Sequence, residues 1–296
     1  VKKPGAILLL SALMGLPQAM PGQEKVLDVP YVPTNPVVVA EMLKMAHVGK
    51  NDILYDLGCG DGRIVVTAAQ LYGTRGTGID LNPERIRESR ENAEKAHVTN
   101  LVKFIEGDLF QADFHEASVV TLYLLTSVNL RLRPKLLAEL RPGSRVVSHD
   151  FAMGDWKSDQ SANLTVDGYA HNVYFWLIPA NASGVWEWTQ PEGGRTMAYR
   201  LEIRQHFQEI TGALTADGKT VDLKEALLSG NTIKLSAERP AGGGAAALTF
   251  EGRLTGDTIE GTVSGARIPW KARRRPATMQ SIDGGTVGYR PPAAAR

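Results

Sequence analysis

Cysteine is nearly absent from this chain of 296 residues: Cys59 stands alone, so no internal disulfide can form. The six histidines are scattered without ligand spacing, and no second cysteine accompanies Cys59. Cys59 therefore reads as a small side chain in a tight space, and no metal site is expected. Charge of one sign is lacking too. Lysine plus arginine number 33 against 32 aspartates and glutamates, a net charge of +1, which gives no reason to expect nucleic acid as a partner. The densest basic run, KARRR (271–275), reads as a solvated strand end or the start of a tail. The apolar run AILLLSALMGL (6–16) is shorter than the ~20 residues of a membrane span. With Lys2 and Lys3 before it and Pro17 after it, residues 1–22 look like a secretory signal or membrane-targeting segment. That predicts a membrane-associated or exported protein, with a cytoplasmic location left open. At 43% hydrophobic and 22% charged residues, the remainder is ordinary for a soluble globular chain of one large or two modest domains.

Two common phosphate cradles are also missing. ILYDLGCGDGRI (53–64) is an apolar run ending in Asp56, then a turn with Gly58, Gly60 and Gly62 at alternate positions, then a helical pattern. A dinucleotide fingerprint would carry a third glycine where Arg63 stands, and a P-loop would end in Gly-Lys-Ser/Thr. What is present is a strand, a tight turn and a helix, a corner where glycine lets a ligand approach the backbone closely.

Two more acids follow in the same context. GTGIDL (76–81) reads as a second strand ending in Asp80 and Leu81, with the carboxylate placed to accept two hydrogen bonds from ribose hydroxyls. KFIEGDLF (103–110) reads as a third strand ending in Asp108, with Leu109 and Phe110 beside it. An acid next to apolar side chains suits an adenine ring and its exocyclic amine. Each Asp alone reads more readily as a helix cap or turn residue. Three in series, each just past a β-like run, are hard to explain as caps.

DLGCGDG, then GIDL, then GDLF resembles a class I S-adenosylmethionine-dependent methyltransferase over about residues 28 to 190. The flanking segments YVPTNPVVVAEML (31–43), SVVTLYLL (118–125), LRPGSRVVSHDF (140–151) and MGDW (153–156) narrow the likeness. Together the set is similar to the protein-lysine methyltransferases whose mitochondrial members modify the ATP synthase c-subunit and the adenine nucleotide translocase. The glycine loop is similar, more distantly, to the DOT1-like histone-lysine enzymes. The resemblance implies S-adenosylmethionine as cofactor and, as cofactor-binding residues, Thr34, Asp56, Gly58, Gly60, Asp80, Leu81, Asp108 and Leu109. For Thr34, the resemblance implies a hydroxyl reaching the methionine carboxylate; the residues alone allow a place at the helix N-cap.

Alternating strands and helices over the core predict an α/β fold: a doubly wound, Rossmann-like, mostly parallel sheet. Ligands bind at the carboxyl ends of such strands, so Asp56, Asp80 and Asp108 are expected at one crevice. HNVYFWLIPA (171–180) and SGVWEWTQ (183–190) are expected to close the sheet as an antiparallel hairpin, with Trp176, Trp186 and Trp188 in core packing. This places a methyltransferase domain over 23–190, a small antiparallel β unit over 196–275, and a disordered tail over 276–296.

The fourth strand ends beside Tyr123, which either orients an incoming amine or is a buried tyrosine with one hydrogen bond. Asn129 is a second polar wall or a helix cap. His149-Asp150 offers a proton acceptor for a lysine ammonium or a turn-forming pair. Tyr123 and Asp150 are thus the catalytic candidates, and Trp156 a residue of the substrate mouth. Three functional readings stay open: methyl transfer to a protein lysine, with a membrane protein among the candidate substrates; transfer to a small-molecule thiol, amine or lipid; and a non-catalytic adenosyl-binding or membrane-associated module.

Overall fold

The computed structural model describes residues 29–192, 194–239, 247–263 and 268–283. The signal-like segment 1–22 lies outside them. Among the described residues no helix is long and apolar enough to cross a membrane.

The first half is a seven-stranded sheet in the order β3-β2-β1-β4-β5-β7-β6. Its members are β1 (Ile53–Leu57), β2 (Arg75–Asp80), β3 (Val102–Glu106), β4 (Val119–Leu122), β5 (Arg145–His149), β6 (Gln160–Val166) and β7 (Tyr169–Leu177). The first five run parallel, and β7 and β6 antiparallel. Strands β1 and β4 are buried on both faces because helices cover both. Helices α1 (Pro36–Met45), α2 (Arg63–Tyr72) and α3 (Pro83–Lys95) pack on one face, and α4 (Thr126–Glu139) on the other. Local chemistry starts the helices where the sequence predicts. Asn35 caps α1 by accepting from the Val37 N–H at 2.9 Å, with Pro36 in the first turn, and Asn82 with Pro83 does the same for α3.

The closing hairpin differs from the expected one. Its strands are β6 and β7, joined through Asp167 and Gly168, both in left-handed conformations. The run at 183–190 instead begins the second unit. That unit, expected as a small antiparallel β unit over 196–275, is a closed barrel of eight antiparallel strands that starts at Gly184. It comprises β8 (Gly184–Glu192), β9 (Arg195–His206), β10 (Glu209–Ala216), β11 (Lys219–Ser229), β12 (Thr232–Ala237), β13 (Leu248–Thr255), β14 (Thr258–Val263) and β15 (Ile268–Arg274), with β15 pairing back onto β8. Alternation puts Trp186, Trp188, Leu201, Phe250 and Trp270 inside, and closure leaves no open edge. Trp186 and Trp188 are therefore core residues, but of the barrel.

The basic run is not simply solvated. The Arg274 guanidinium is buried over the Trp186 ring, at 4.4 Å, and donates to the carbonyls of Ser183 and Asn181. The first part of the expected tail is held as well. Thr278 Oγ1 accepts from the Val185 N–H at 3.0 Å, and the Ile282 carbonyl accepts from the Phe207 N–H at 2.8 Å. Residues 284–296 lie outside the described residues.

Trp156 joins the two units. Its ring is buried, stacks on Phe207 of the β9–β10 turn at 5.5 Å, and donates to Gln208 Oε1 at 2.9 Å. It is a core residue and lines no substrate mouth, because the barrel covers it. Trp156→Ala is expected to destabilise the protein by about 3–5 kcal/mol, as loss of a buried aromatic does, measured as a lowered urea midpoint.

Candidate active site

The turn after β1 is fixed by bonds to β2. The N–H groups of Gly58 and Cys59 both donate to the Ile79 carbonyl, at 2.8 and 3.0 Å, and the Gly60 N–H donates to Asp80 Oδ2 at 2.9 Å. Gly58 and Gly60 have φ of 83° and 53°. A Cβ on Gly60 would stand 2.5 Å from the Tyr31 ring, so this backbone is available to a ligand only as glycine. Cys59 points inward against Gly78, and burial pushes its thiol pKa well up, which suits filler and not a nucleophile.

An open cleft lies beside this turn at the carboxyl ends of β1 to β4, where ligands of open parallel sheets bind. Thr34, Asp56, Gly58, Gly60, Asp80, Leu81, Asp108, Leu109 and Tyr123 all line it. These are the residues that the sequence nominates, Asp150 excepted. Asp80 is aimed by two backbone N–H groups, of Gly60 and Asn82 (2.9 Å each), which leaves further lone pairs toward the cleft. Asp108 is held by the Phe110 N–H at 2.9 Å, beside the apolar side chains of Leu109 and Phe110.

Asp56 is different. It is fully buried and accepts a hydrogen bond from Thr121 Oγ1 at 2.7 Å. Burial, with the Asp80 and Asp61 carboxylates nearby, outweighs that bond and raises its pKa to about 7. A carboxyl so poised gains by meeting a positive charge.

Thr34 does not cap α1; its neighbour Asn35 does. Thr34 is buried, its hydroxyl 3.3 Å from His149 Nδ1 and its carbonyl accepting from Arg63 at 2.9 Å. Tyr123 stacks on His149 with ring centroids 3.8 Å apart. Burial, and after it the Asp150 charge, raises the Tyr123 pKa, so its hydroxyl keeps its proton. Asp150, by contrast, is not among the residues lining the cleft. Its Oδ1 accepts from the Asn172 N–H at 2.7 Å, and its Oδ2 faces His149 and His171. Asn129 is neither cap nor wall: fully buried, its amide donates to the Phe151 carbonyl at 2.9 Å and holds the chain after β5.

One wall of the cleft is invisible in the sequence. Tyr31 lies over Gly60 with the Arg85 guanidinium 4.5 Å above its ring, and Asp61 pairs with Arg63 at 2.7 Å. All four side chains line the cleft. The only signal is the position of YVPTN before the core, and no local periodicity says that it folds back.

The model of the ANTKMT methyltransferase domain matches residues 56–160. A protein-lysine N-methyltransferase of Saccharolobus islandicus is 47% identical over 151 residues, covering 51% of this chain and 94% of that one. The adenine nucleotide translocase lysine N-methyltransferase of Mus musculus is 35% identical over 178 residues, covering 60% of this chain and 77% of that one. A crystal structure titled RNA methyltransferase from Salinibacter ruber, in complex with S-adenosyl-L-homocysteine, is 52% identical with a TM-score of 0.47, covering 50% of this chain and 94% of that one. From the family model and the two lysine methyltransferases, this chain belongs to the S-adenosylmethionine-dependent protein-lysine methyltransferase family that includes the ATP synthase c-subunit and adenine nucleotide translocase enzymes.

Proposed function

We propose that this protein transfers a methyl group to a lysine side chain of a protein, with the cleft beside the glycine turn as its cofactor site. The observation that carries the reading is the arrival of Asp56, Asp80, Asp108 and Tyr123, from four separate strand ends, at one cleft. When bound, S-adenosylmethionine supplies an electrophilic methyl group on a sulfonium that is a good leaving group.

The protein's own part is binding, orientation and exclusion of water. Asp80 takes the ribose hydroxyls, and Asp108 with Leu109 and Phe110 the adenine. Asp56 faces the amino-acid ammonium, and Thr34 the carboxylate. Tyr123 presents its ring and a protonated hydroxyl at the acceptor end, where an amine is oriented by hydrogen bonding or by its charge over the ring. Asp150 stands one layer behind, on the far side of His149.

Three outcomes are expected. Asp80→Ala weakens S-adenosylhomocysteine binding on the order of 100-fold by calorimetry, the loss of two hydrogen bonds to a charged group; unchanged affinity counts against the assignment.

Because the folded pKa of Asp56, about 7, lies above its ordinary 3.8, the folded state holds the extra proton between those values. Its contribution to stability therefore falls as pH rises from about 4 to about 7. The ammonium of the ligand favours the carboxylate, so affinity rises from pH 6 to pH 8 with release of a proton. Calorimetry in buffers of different ionisation enthalpy reads this, and Asp56→Asn abolishes the proton release.

Incubation of the full chain with methyl-labelled cofactor and a cell extract places the label in a protein band that yields methyl-lysine on hydrolysis. Label confined to small molecules would establish the small-molecule reading instead. No label despite tight cofactor binding would leave a binding module.

A further inference from the structure

Behind the cleft, β5 and β7 gather three side chains that the proposed chemistry does not use. His149, the last residue of β5, lies opposite Val173 of the antiparallel β7. His171 is two residues from Val173, so its side chain shares that face and is a diagonal neighbour of His149. Asp150 follows with φ of 59°, a left-handed conformation that turns its carboxylate back toward both rings. Asn172 fixes it there: the Asp150 N–H donates to the Asn172 carbonyl and Oδ1 accepts from the Asn172 N–H, each at 2.7 Å.

The atoms so placed are His149 Nε2, His171 Nδ1 and Asp150 Oδ2. Their separations are 2.9 Å between the nitrogens, 3.2 Å from His149 to the carboxylate and 3.6 Å from His171 to it. These values straddle the edge of a tetrahedral zinc site, about 3.3 Å for ligand bonds of roughly 2.0–2.1 Å. One shared proton satisfies only one of the three contacts well. A cation at their centre satisfies all three. The supports behind the triad are those that ligating histidines and carboxylates use. His149 Nδ1 faces Thr34 Oγ1 at 3.3 Å, and Asp150 Oδ1 holds the Asn172 N–H. His149 is fully buried, whereas His171 and Asp150 are partly exposed, which leaves an entry path and a fourth position to solvent.

The geometry points to a binding site for one divalent transition metal ion of the zinc type on His149, His171 and Asp150. Two imidazoles and one carboxylate suit zinc, cobalt or nickel and exclude magnesium and calcium, which require mostly oxygen donors. The ion would set the ring plane of His149, and with it the two cleft residues that lean on that ring, Tyr123 by stacking and Thr34 by its hydroxyl. The site thus bears from behind on both ends of the cleft, the cofactor end through Thr34 and the acceptor end through Tyr123, and it does not touch the reacting atoms.

Titration of the chelator-treated full chain with Co²⁺ tests this through the visible absorption of tetrahedral cobalt, with Zn²⁺ competing it away. One equivalent is expected to bind, and Zn²⁺ to raise the melting temperature, while Mg²⁺ does neither. His171→Ala and Asp150→Asn should each weaken binding by more than the roughly 10–100-fold that loss of an outer-shell partner costs. Asparagine tolerates the left-handed backbone at 150, so that variant keeps the fold, as circular dichroism will show. Absence of stoichiometric binding in the parent chain would overturn the inference. So would binding that survives undiminished in both variants. Neither result depends on which acceptor is methylated.

Discussion

The Ile79 carbonyl accepts from two consecutive N–H groups, and the Asp80 carboxylate beside it accepts from the N–H of Gly60, the residue that follows them. This short set of bonds ties the turn after β1 to the end of β2, and the cleft is built on it. It forces positive φ at Gly58 and Gly60, opens backbone to a ligand, and aims Asp80. The parallel registers of β1 with β2 and β4 then set Asp56 at the same height as Thr121, its hydrogen-bond donor. A buried carboxyl beside other acids is costly. It is tolerated where a cationic ligand takes up the charge, which is the physical link from fold to proposed chemistry.

The rear wall of the cleft is a chain of contacts rather than a single residue. Tyr123 stacks on His149, His149 meets Thr34, and Thr34 through its carbonyl meets Arg63, which pairs with Asp61. The segment before the first strand is thereby fastened to the strand ends, and Tyr31 closes over Gly60. Asp150 and His171 bear on the same chain from the far side.

The barrel is a second core with its own aromatic cluster. Trp188 stacks on Tyr199 at 5.1 Å, and Trp270 and Phe250 pack edge-on against it. It is joined to the sheet where Trp156 meets Phe207, and where the Arg133 guanidinium lies 4.9 Å over that same ring. The relatives above match about half of this chain or slightly more, and the family model stops at residue 160, before the barrel begins.

Much of the cleft's lining was legible in the sequence because its signals are local. A glycine turn between an apolar run and a helical pattern, and acids just past β-like runs, follow from strand period, turn chemistry and the rule that ligands sit at the carboxyl ends of parallel strands. The parallel sheet was legible for the same reason. The hairpin was not: 183–190 has the alternation of any half-buried strand, and nothing local says whether it pairs with β7 or with β9. Closure of the barrel is likewise a long-range pairing, of β15 with β8, that no window of sequence contains. Trp156 was misplaced because a tryptophan in a loop gives no sign of which surface covers it. His149 and His171 are 22 residues apart, a spacing that looks scattered until antiparallel pairing makes them diagonal neighbours. The elements, the glycine turn and the acids are thus written into the chain itself, because dihedral freedom and hydrophobic period act over a few residues. Which strands pair, what Tyr31 and Trp156 cover, and which side chains meet behind the cleft are settled by the folded molecule alone, because those contacts depend on register across the sheet.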